Sequence, residues 1–239
     1  MASLVTLAEL RDRIRFKTDE RPGGPTNVYV TDNDIDQIIN EKIRKMYDVL
    51  VLAFENYYEN TYNFNLAVST ATYTVPNDFY QAKVLWLTWG TNSYERVGRF
   101  QIQETPWYYT YNTFGRDTQK GYRVYGTGTG TTYIEFAPVP TVVIPVTFKY
   151  VPAFAGLVND GDTFDSINGW DDAVVYGATA DILAQNNRDA TFFYTQYRES
   201  MQAIREIADQ RNSDSPKHVL DVCPDYDYGP YGIERLPRP

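Results

Sequence analysis

The sequence predicts an α+β fold: a helical bundle built from the N- and C-terminal helices, an inserted antiparallel β domain, and an extended C-terminal arm. Three observations predict it. Apolar residues recur at helical spacing up to about residue 54 and again after residue 171. Between these stretches the period falls to two, and five of the 13 prolines lie beyond residue 213. The boundaries that follow are 1–66 for the N-terminal helices of the bundle and 67–166 for the β domain. The C-terminal helical hairpin takes 167–212 and the arm 213–239.

Thr6 and Glu9 have capping-box spacing, and Leu7, Leu10 and Ile14 follow at helical intervals, so a first helix runs to about Phe16. Arg21 to Pro25, containing Pro-Gly-Gly-Pro, stops it. Thr31 and Asp34 then open a second helix with a stripe of Ile35, Ile38, Ile39, Lys42, Ile43, Met46, Leu50 and Phe54. Asp32, Asn33 and Asp34 resemble calcium ligands, but the helix dipole favours acids at this end and no complete ligand loop follows. Capping is the reading.

From Ala71 the pattern is β. Tyr73 and Val75 alternate with threonines, Pro76-Asn77-Asp78 turns the chain, and Ala82 to Thr88 reads as a buried strand. Further strands are expected at Tyr94–Val97, Tyr122–Tyr125, Thr132–Phe136 and Pro145–Val151, forming a compact antiparallel sheet or sandwich. Gly126-Thr127-Gly128-Thr129-Gly130 lacks the Gly-Lys-Ser/Thr of a phosphate loop and opens no helix, so it reads as a hairpin connection. Trp107, Tyr108, Tyr109 and Tyr111, with Trp86 and Trp89, are a dense aromatic set. Strand alternation sends part of it inward, and the rest is a candidate for sugar or base stacking or for a protein interface.

After Asp171-Asp172 helical spacing returns through Val174, Val175, Ala178, Ile182 and Leu183, then through Phe193, Tyr197, Met201, Ile204 and Ile207. The break at Asn186-Asn187-Arg188-Asp189, with Asp189 as cap, predicts an αα-hairpin. The arm carries prolines 216, 224, 230, 237 and 239, a density that neither a helix nor a central strand survives. It also carries Leu220, Val222, Tyr226, Tyr228, Tyr231 and Ile233, more apolar material than a solvated linker needs. It packs on its own domain or binds a partner.

Charge and rare residues narrow the function. With 31 acidic and 22 basic side chains the net charge is -9, which repels a polyanion. A local basic patch around Arg11, Arg13 and Arg15 stays open. The single Cys223 cannot close an intrachain disulfide, and the single His218 cannot build a His-rich metal site. Five residues apart on an irregular segment, they also offer no geometry for a nucleophile and its base. Asp160, Asp162 and Asp165 are candidates for a cation site or for paired glycosidase carboxylates. Gly161 makes a turn the simpler account. No catalytic residue, cofactor or metal is therefore expected. Met1 to Phe16 shows no signal peptide and no long apolar run occurs, so synthesis in the cytoplasm and no membrane partner are expected.

The order of parts supplies a resemblance. Tyr73-Thr-Val-Pro76-Asn-Asp78-Phe79-Tyr80 follows a long helix, and an aromatic β region, Phe136-Ala-Pro138-Val-Pro140 and Phe148-Lys-Tyr150 come next. Trp170-Asp-Asp-Ala173 then leads into the helical hairpin. Over roughly residues 4 to 210 this resembles tailed-bacteriophage head-to-tail adaptor (connector) proteins, and Tyr228-Gly-Pro-Tyr-Gly232 is similar to the tails of tail tubular adaptors. The resemblance implies a non-enzymatic virion neck protein. It also implies a ring of about twelve copies beneath the portal protein, with a tail or neck protein below and duplex DNA passing through without tight binding. The arm residues Leu220, Val222, Tyr226, Tyr228, Tyr231 and Ile233 are the candidate portal contacts. The aromatic run and acidic charge also fit a carbohydrate-binding β module, although the flanking helices do not. A glycosidase using Asp160, Asp162 or Asp165 is the third reading.

Overall fold

In the computed structural model, Thr6 Oγ1 accepts the Glu9 N–H at 3.3 Å while the Glu9 carboxylate accepts the Thr6 N–H at 3.0 Å. This capping box starts α1 (Leu7–Thr18), which runs two residues beyond Phe16 to a left-handed Asp19. The structure describes residues 4–19, 30–53, 58–111, 114–115, 118–128, 130–164, 166 and 169–211. Arg21 to Pro25, Phe54 and the whole arm lie outside the described residues. A second reciprocal pair, Asp34 N–H to Thr31 Oγ1 at 3.3 Å and Thr31 N–H to Asp34 at 3.1 Å, starts α2 (Asp32–Ala53). The Thr31 hydroxyl, which donates to the Asp34 carboxylate at 2.6 Å, and the Thr31 N–H together hold that carboxyl below the usual carboxylate range.

Seven strands follow: β1 (Asn60–Leu66), β2 (Thr72–Thr74), β3 (Phe79–Gly90), β4 (Ser93–Arg99), β5 (Gly121–Gly126), β6 (Thr132–Ala137) and β7 (Ile144–Pro152). They form one sheet in the order β1-β7-β3-β4-β5-β6-β2. The sheet is mixed, which corrects the antiparallel expectation: β4 and β5 pair in parallel through Gly98 with Gly121 and Arg99 with Tyr122. Parallel neighbours need a long crossover. Residues 100–120 provide it, carrying a short 3-10 turn (Ile102–Glu104) and α3 (Thr105–Tyr111). The α+β class holds, with α4 (Trp170–Gln185) and α5 (Thr191–Arg211) completing the helices.

A second difference concerns β1, whose residues fall within the stretch assigned to the N-terminal helices. Tyr62, Phe64 and Leu66 alternate with threonine and asparagines, and the strand pairs with β7 from Asn60–Tyr150 to Leu66–Ile144. Period two turns all three apolar side chains toward one face. There Phe64 lies 6.3 Å from the ring of Phe136 on β6, far across the sheet order. The sheet therefore curls around Leu66, Leu85, Leu87, Tyr122, Ile134, Phe136, Val146 and Phe148.

The helices share a separate core. Leu7, Leu10 and Ile14 of α1, Ile35, Ile39, Met46 and Leu50 of α2, Trp170, Val174 and Ala178 of α4, and Ile204 and Ala208 of α5 belong to one buried cluster. Each aliphatic side chain so buried contributes roughly 1.5–3 kcal/mol. Sheet and helices are joined along α2. Tyr47 O–H donates to the Pro152 carbonyl at 2.5 Å, and its ring stacks on Tyr58 at 4.4 Å. The Asn40 amide accepts the Leu157 N–H at 2.7 Å and donates to its carbonyl at 2.9 Å, pinning the chain that leaves β7.

Candidate functional site

The acidic candidates are engaged in shaping the chain. The Asp162 carboxylate accepts the N–H groups of Val158 and Asn159, each at 2.8 Å, which holds its carboxyl below the usual range. That is a turn closing on itself, as Gly161 suggests. Asp160 lies 3.1 Å from Arg11. Asp165 lies outside the described residues. Among the described residues no group of three or more His, Cys, Asp or Glu side chains is placed to hold a metal ion.

The three arginines of α1 are likewise committed. Arg11 pairs with Asp36 at 2.9 Å as well as with Asp160, and Arg15 pairs with Asp32 at 2.6 Å. Arg13 reaches both Asp171 and Asp172 at the start of α4. Acids in the first turn of α4 also suit the helix dipole, so Arg13 reads a carboxylate pair already placed there. The local basic patch left open by the sequence is thus neutralised by its own partners.

Gly126 to Gly130 closes the β5–β6 hairpin, with Gly126 opposite Thr132 and Gly128 at φ +77°. Thr129 lies outside the described residues. A hairpin tip between antiparallel strands presents no helix N-terminus to an anion, so the phosphate-cradle geometry is not formed there.

The aromatic run differs from the strand expectation: Trp107, Tyr108 and Tyr109 stand on α3. Pro106, at the second position of that helix, is a start signal that outweighs the β preference of the aromatics. Helical geometry then splits the run. Tyr108 packs on Phe100 at 5.0 Å and crowds Gly121, where an added Cβ would come within 2.9 Å of Phe100. Trp107 and Tyr109 stay 42% and 41% exposed. Trp89 donates its indole N–H to Glu95 at 2.6 Å, and Trp86 is half-buried on β3. Further exposed aromatics escaped the sequence reading, among them Phe16 on α1 and Phe192 on α5, both 64% exposed. Their signal is an offset: Phe16 falls off the Leu7-Leu10-Ile14 stripe, and Phe192 precedes the stripe that Phe193 begins.

These exposed rings stand on three separate helices, α1, α3 and α5. The candidate portal contacts Leu220, Val222, Tyr226, Tyr228, Tyr231 and Ile233 lie outside the described residues, as do His218 and Cys223. No described helix is long and apolar enough to cross a membrane. No curated relative matches the chain. The model of the SU10 adaptor protein family matches residues 5–220, nearly the whole span over which the order of motifs resembles head-to-tail adaptors. The chain therefore belongs to the SU10 adaptor protein family and is a phage head-to-tail adaptor protein.

Proposed function

We propose that the protein closes into a ring of about twelve copies beneath the portal, where it extends the DNA channel and joins the capsid to the tail. The observation that carries this reading is the family match over residues 5–220. The role is structural, in the virion neck, and needs no catalytic group or cofactor. In this reading the terminal helices form a bundle with the sheet inserted in it, and 213–239 is an arm that orders on the portal through Leu220, Val222, Tyr226, Tyr228, Tyr231 and Ile233. The side opposite the portal receives a tail or neck protein.

Two physical features support it. Ring closure needs two different faces meeting head to tail, and exposed aromatics on separate elements, Phe16 and Phe192 against Trp107 and Tyr109, are suited to such an interface. A channel that passes DNA must not hold it, and the net charge of -9 opposes phosphate contacts. Duplex DNA is accordingly expected to bind weakly even at low salt, and submicromolar, salt-sensitive binding would contradict a passive channel.

Negative-stain imaging of the purified protein, alone and with portal, tests the proposal. Rings or portal-bound caps are expected, and a monodisperse monomer that never associates with portal overturns it. Truncation after Asn212 tests the arm. A folded protein that no longer joins heads is expected, whereas undiminished portal binding refutes the arm's role.

A further inference from the structure

β3 and β4 pair only as far as Leu85 with Val97. Beyond that point β4 leaves β3 to run parallel with β5, so a wedge opens between Gln81–Val84 on one side and Gly98, Arg99 and Tyr122 on the other. The wedge is a cleft of about 400 Å³ with Val51 of α2 at its border. Its apolar floor is open only at the half-buried Val51 and Val84, since Ala82 and Val97, which also line it, are buried in the sheet's core, and its polar lining includes Lys83, Arg96 and Arg99. No carboxylate lines it among the described residues. In a chain of net charge -9 such a concentration of cations is an exception.

One of the cations is held in place. Arg99 donates from Nε to Tyr122 Oη at 3.2 Å and also donates to the Ala82 carbonyl, so its guanidinium bridges the mouth of the wedge. Arg96 is exposed, stands opposite Trp86 in the β3–β4 register and has no ion-pair partner among the described residues. A fixed guanidinium, a second unpaired one and an ammonium above an apolar floor suit an extended segment that alternates carboxylates with aromatic rings. A phosphate backbone would use the cations and leave the floor uncovered.

The chain itself contains such a segment. Asp221 to Tyr228 reads Asp-Val-Cys-Pro-Asp-Tyr-Asp-Tyr, with three carboxylates, two tyrosines and no cation. Its point of departure is close by. Asp209, near the end of α5, lines the same groove as Leu52 and Ala53, while Val51 one residue earlier borders the cleft. Asp225 lies fourteen residue steps beyond Arg211. Extended, those steps span about 46 Å, far more than the two or three residues of α2 between groove and cleft require.

We propose that the β3–β4 cleft is a docking site for Asp221–Tyr228 of the same chain. Asp225 and Asp227 meet Arg96, Arg99 and Lys83, and Tyr226 or Tyr228 covers the apolar floor. The free protein thereby stores its own arm until a portal competes for the same tyrosines. Only this last step rests on the ring-and-arm reading; the docking site stands without it.

The test uses the full chain. Hydrogen exchange at Gln81–Val84 and Gly98–Phe100 is expected to accelerate at least tenfold in D225A/D227A. A fluorescent peptide of residues 219–231 is expected to bind D225A/D227A, whose cleft is vacated, at least tenfold more tightly than it binds the wild type. Arg96→Glu added to that variant should abolish the gain. Unchanged exchange, or equal peptide binding to both proteins, overturns the proposal. Carbodiimide coupling of a mixture of isotopically heavy and light protein should join Lys83 to Asp225 or Asp227 within one copy. Coupling only between copies overturns the same-chain assignment, and displacement of the peptide by duplex DNA at equal charge makes the cleft a DNA contact instead. Portal capture by D225A/D227A is read separately, so loss of the docking site and failure of the adaptor reading remain distinct results.

Discussion

Phe64 on β1 and Tyr73 on β2 stand on opposite edge strands of the sheet, yet their rings lie 5.3 Å apart. Tyr73 also meets Phe136 edge-on at 5.8 Å, and its hydroxyl accepts the Ala67 N–H at 2.7 Å and donates to the Thr70 carbonyl at 2.9 Å. The curl of the sheet is closed by this aromatic contact and not by a strand ladder. Phe64→Ala is therefore expected to cost about 2 kcal/mol in urea unfolding, since the ring is half-buried. Phe64→Leu should recover most of that loss. A cost below about 0.5 kcal/mol would mean that the closure contributes little.

The Lys42 ammonium lies 2.5 Å from the Asp181 carboxylate with the lysine side chain only 5% exposed. Removing one partner of such a pair strands the other charge. Asp181→Asn is expected to destabilise by about 3 kcal/mol, the lower end of the range because Asp181 keeps some contact with water. The double variant K42M/D181L should lie closer to wild type than either single change. Additive losses in the double-mutant cycle would count against coupling across α2 and α4.

Gly177 lets α4 approach α5. A Cβ there would come within 2.8 Å of the Tyr197 ring and 3.1 Å of Lys42 Cδ. Alanine normally favours a helix over glycine by about 1 kcal/mol. Here the overlap with a rigid ring outweighs that gain, so Gly177→Ala is expected to lose about 1–3 kcal/mol. G177A/Y197L should lose less than the sum of its parts. A stabilised Gly177→Ala, read by thermal unfolding, would reverse the sign and refute the crowding.

Burial, with Tyr80 and Asp48 nearby, pushes the Tyr47 hydroxyl up to about 12. Burial and the hydrogen bond it donates to Asp78 at 2.9 Å push Tyr150 up to about 12 as well. Both groups stay protonated in the fold after their unfolded counterparts ionise near 10. Their stabilisation is complete below the unfolded value and is lost as pH rises through the folded one. Urea stability is expected to fall across that alkaline window, and absorbance at the phenolate band should show late-titrating tyrosines. Tyr150→Phe should remove one of them. Tyrosines that all titrate near 10 while the protein stays folded would contradict this.

The parts of the fold legible in the sequence are those governed by near neighbours. Thr6 with Glu9, Thr31 with Asp34 and Asp189 before α5 each act within three residues, and all three form their caps. The parallel pairing of β4 with β5 was not legible, because it depends on where the crossover of residues 100–120 lands. Trp107 to Tyr109 misled because aromatic β preference is weak against Pro106 and a short helical turn. The cleft was hidden for a related reason. Lys83, Arg96 and Arg99 are scattered cations in the chain, and only the departure of β4 from β3 brings them together.

The partners of α1 carry a consequence for how the protein is made. Val5 N–H donates to Ser166, Leu7 N–H to the Asp162 carbonyl, Arg13 reaches Asp171 and Asp172, and Arg188 donates to the Thr18 carbonyl. Every one of these contacts spans more than 150 positions of chain. On a ribosome adding about 5–20 residues per second, α1 emerges first and then waits roughly 8–30 s for residues 160–188. During that interval Leu7, Leu10 and Ile14 have only α2 to cover them. Pulse-labelled nascent chains released before residue 160 should therefore be cleaved rapidly within α1, and chains carried past residue 190 should be protected there.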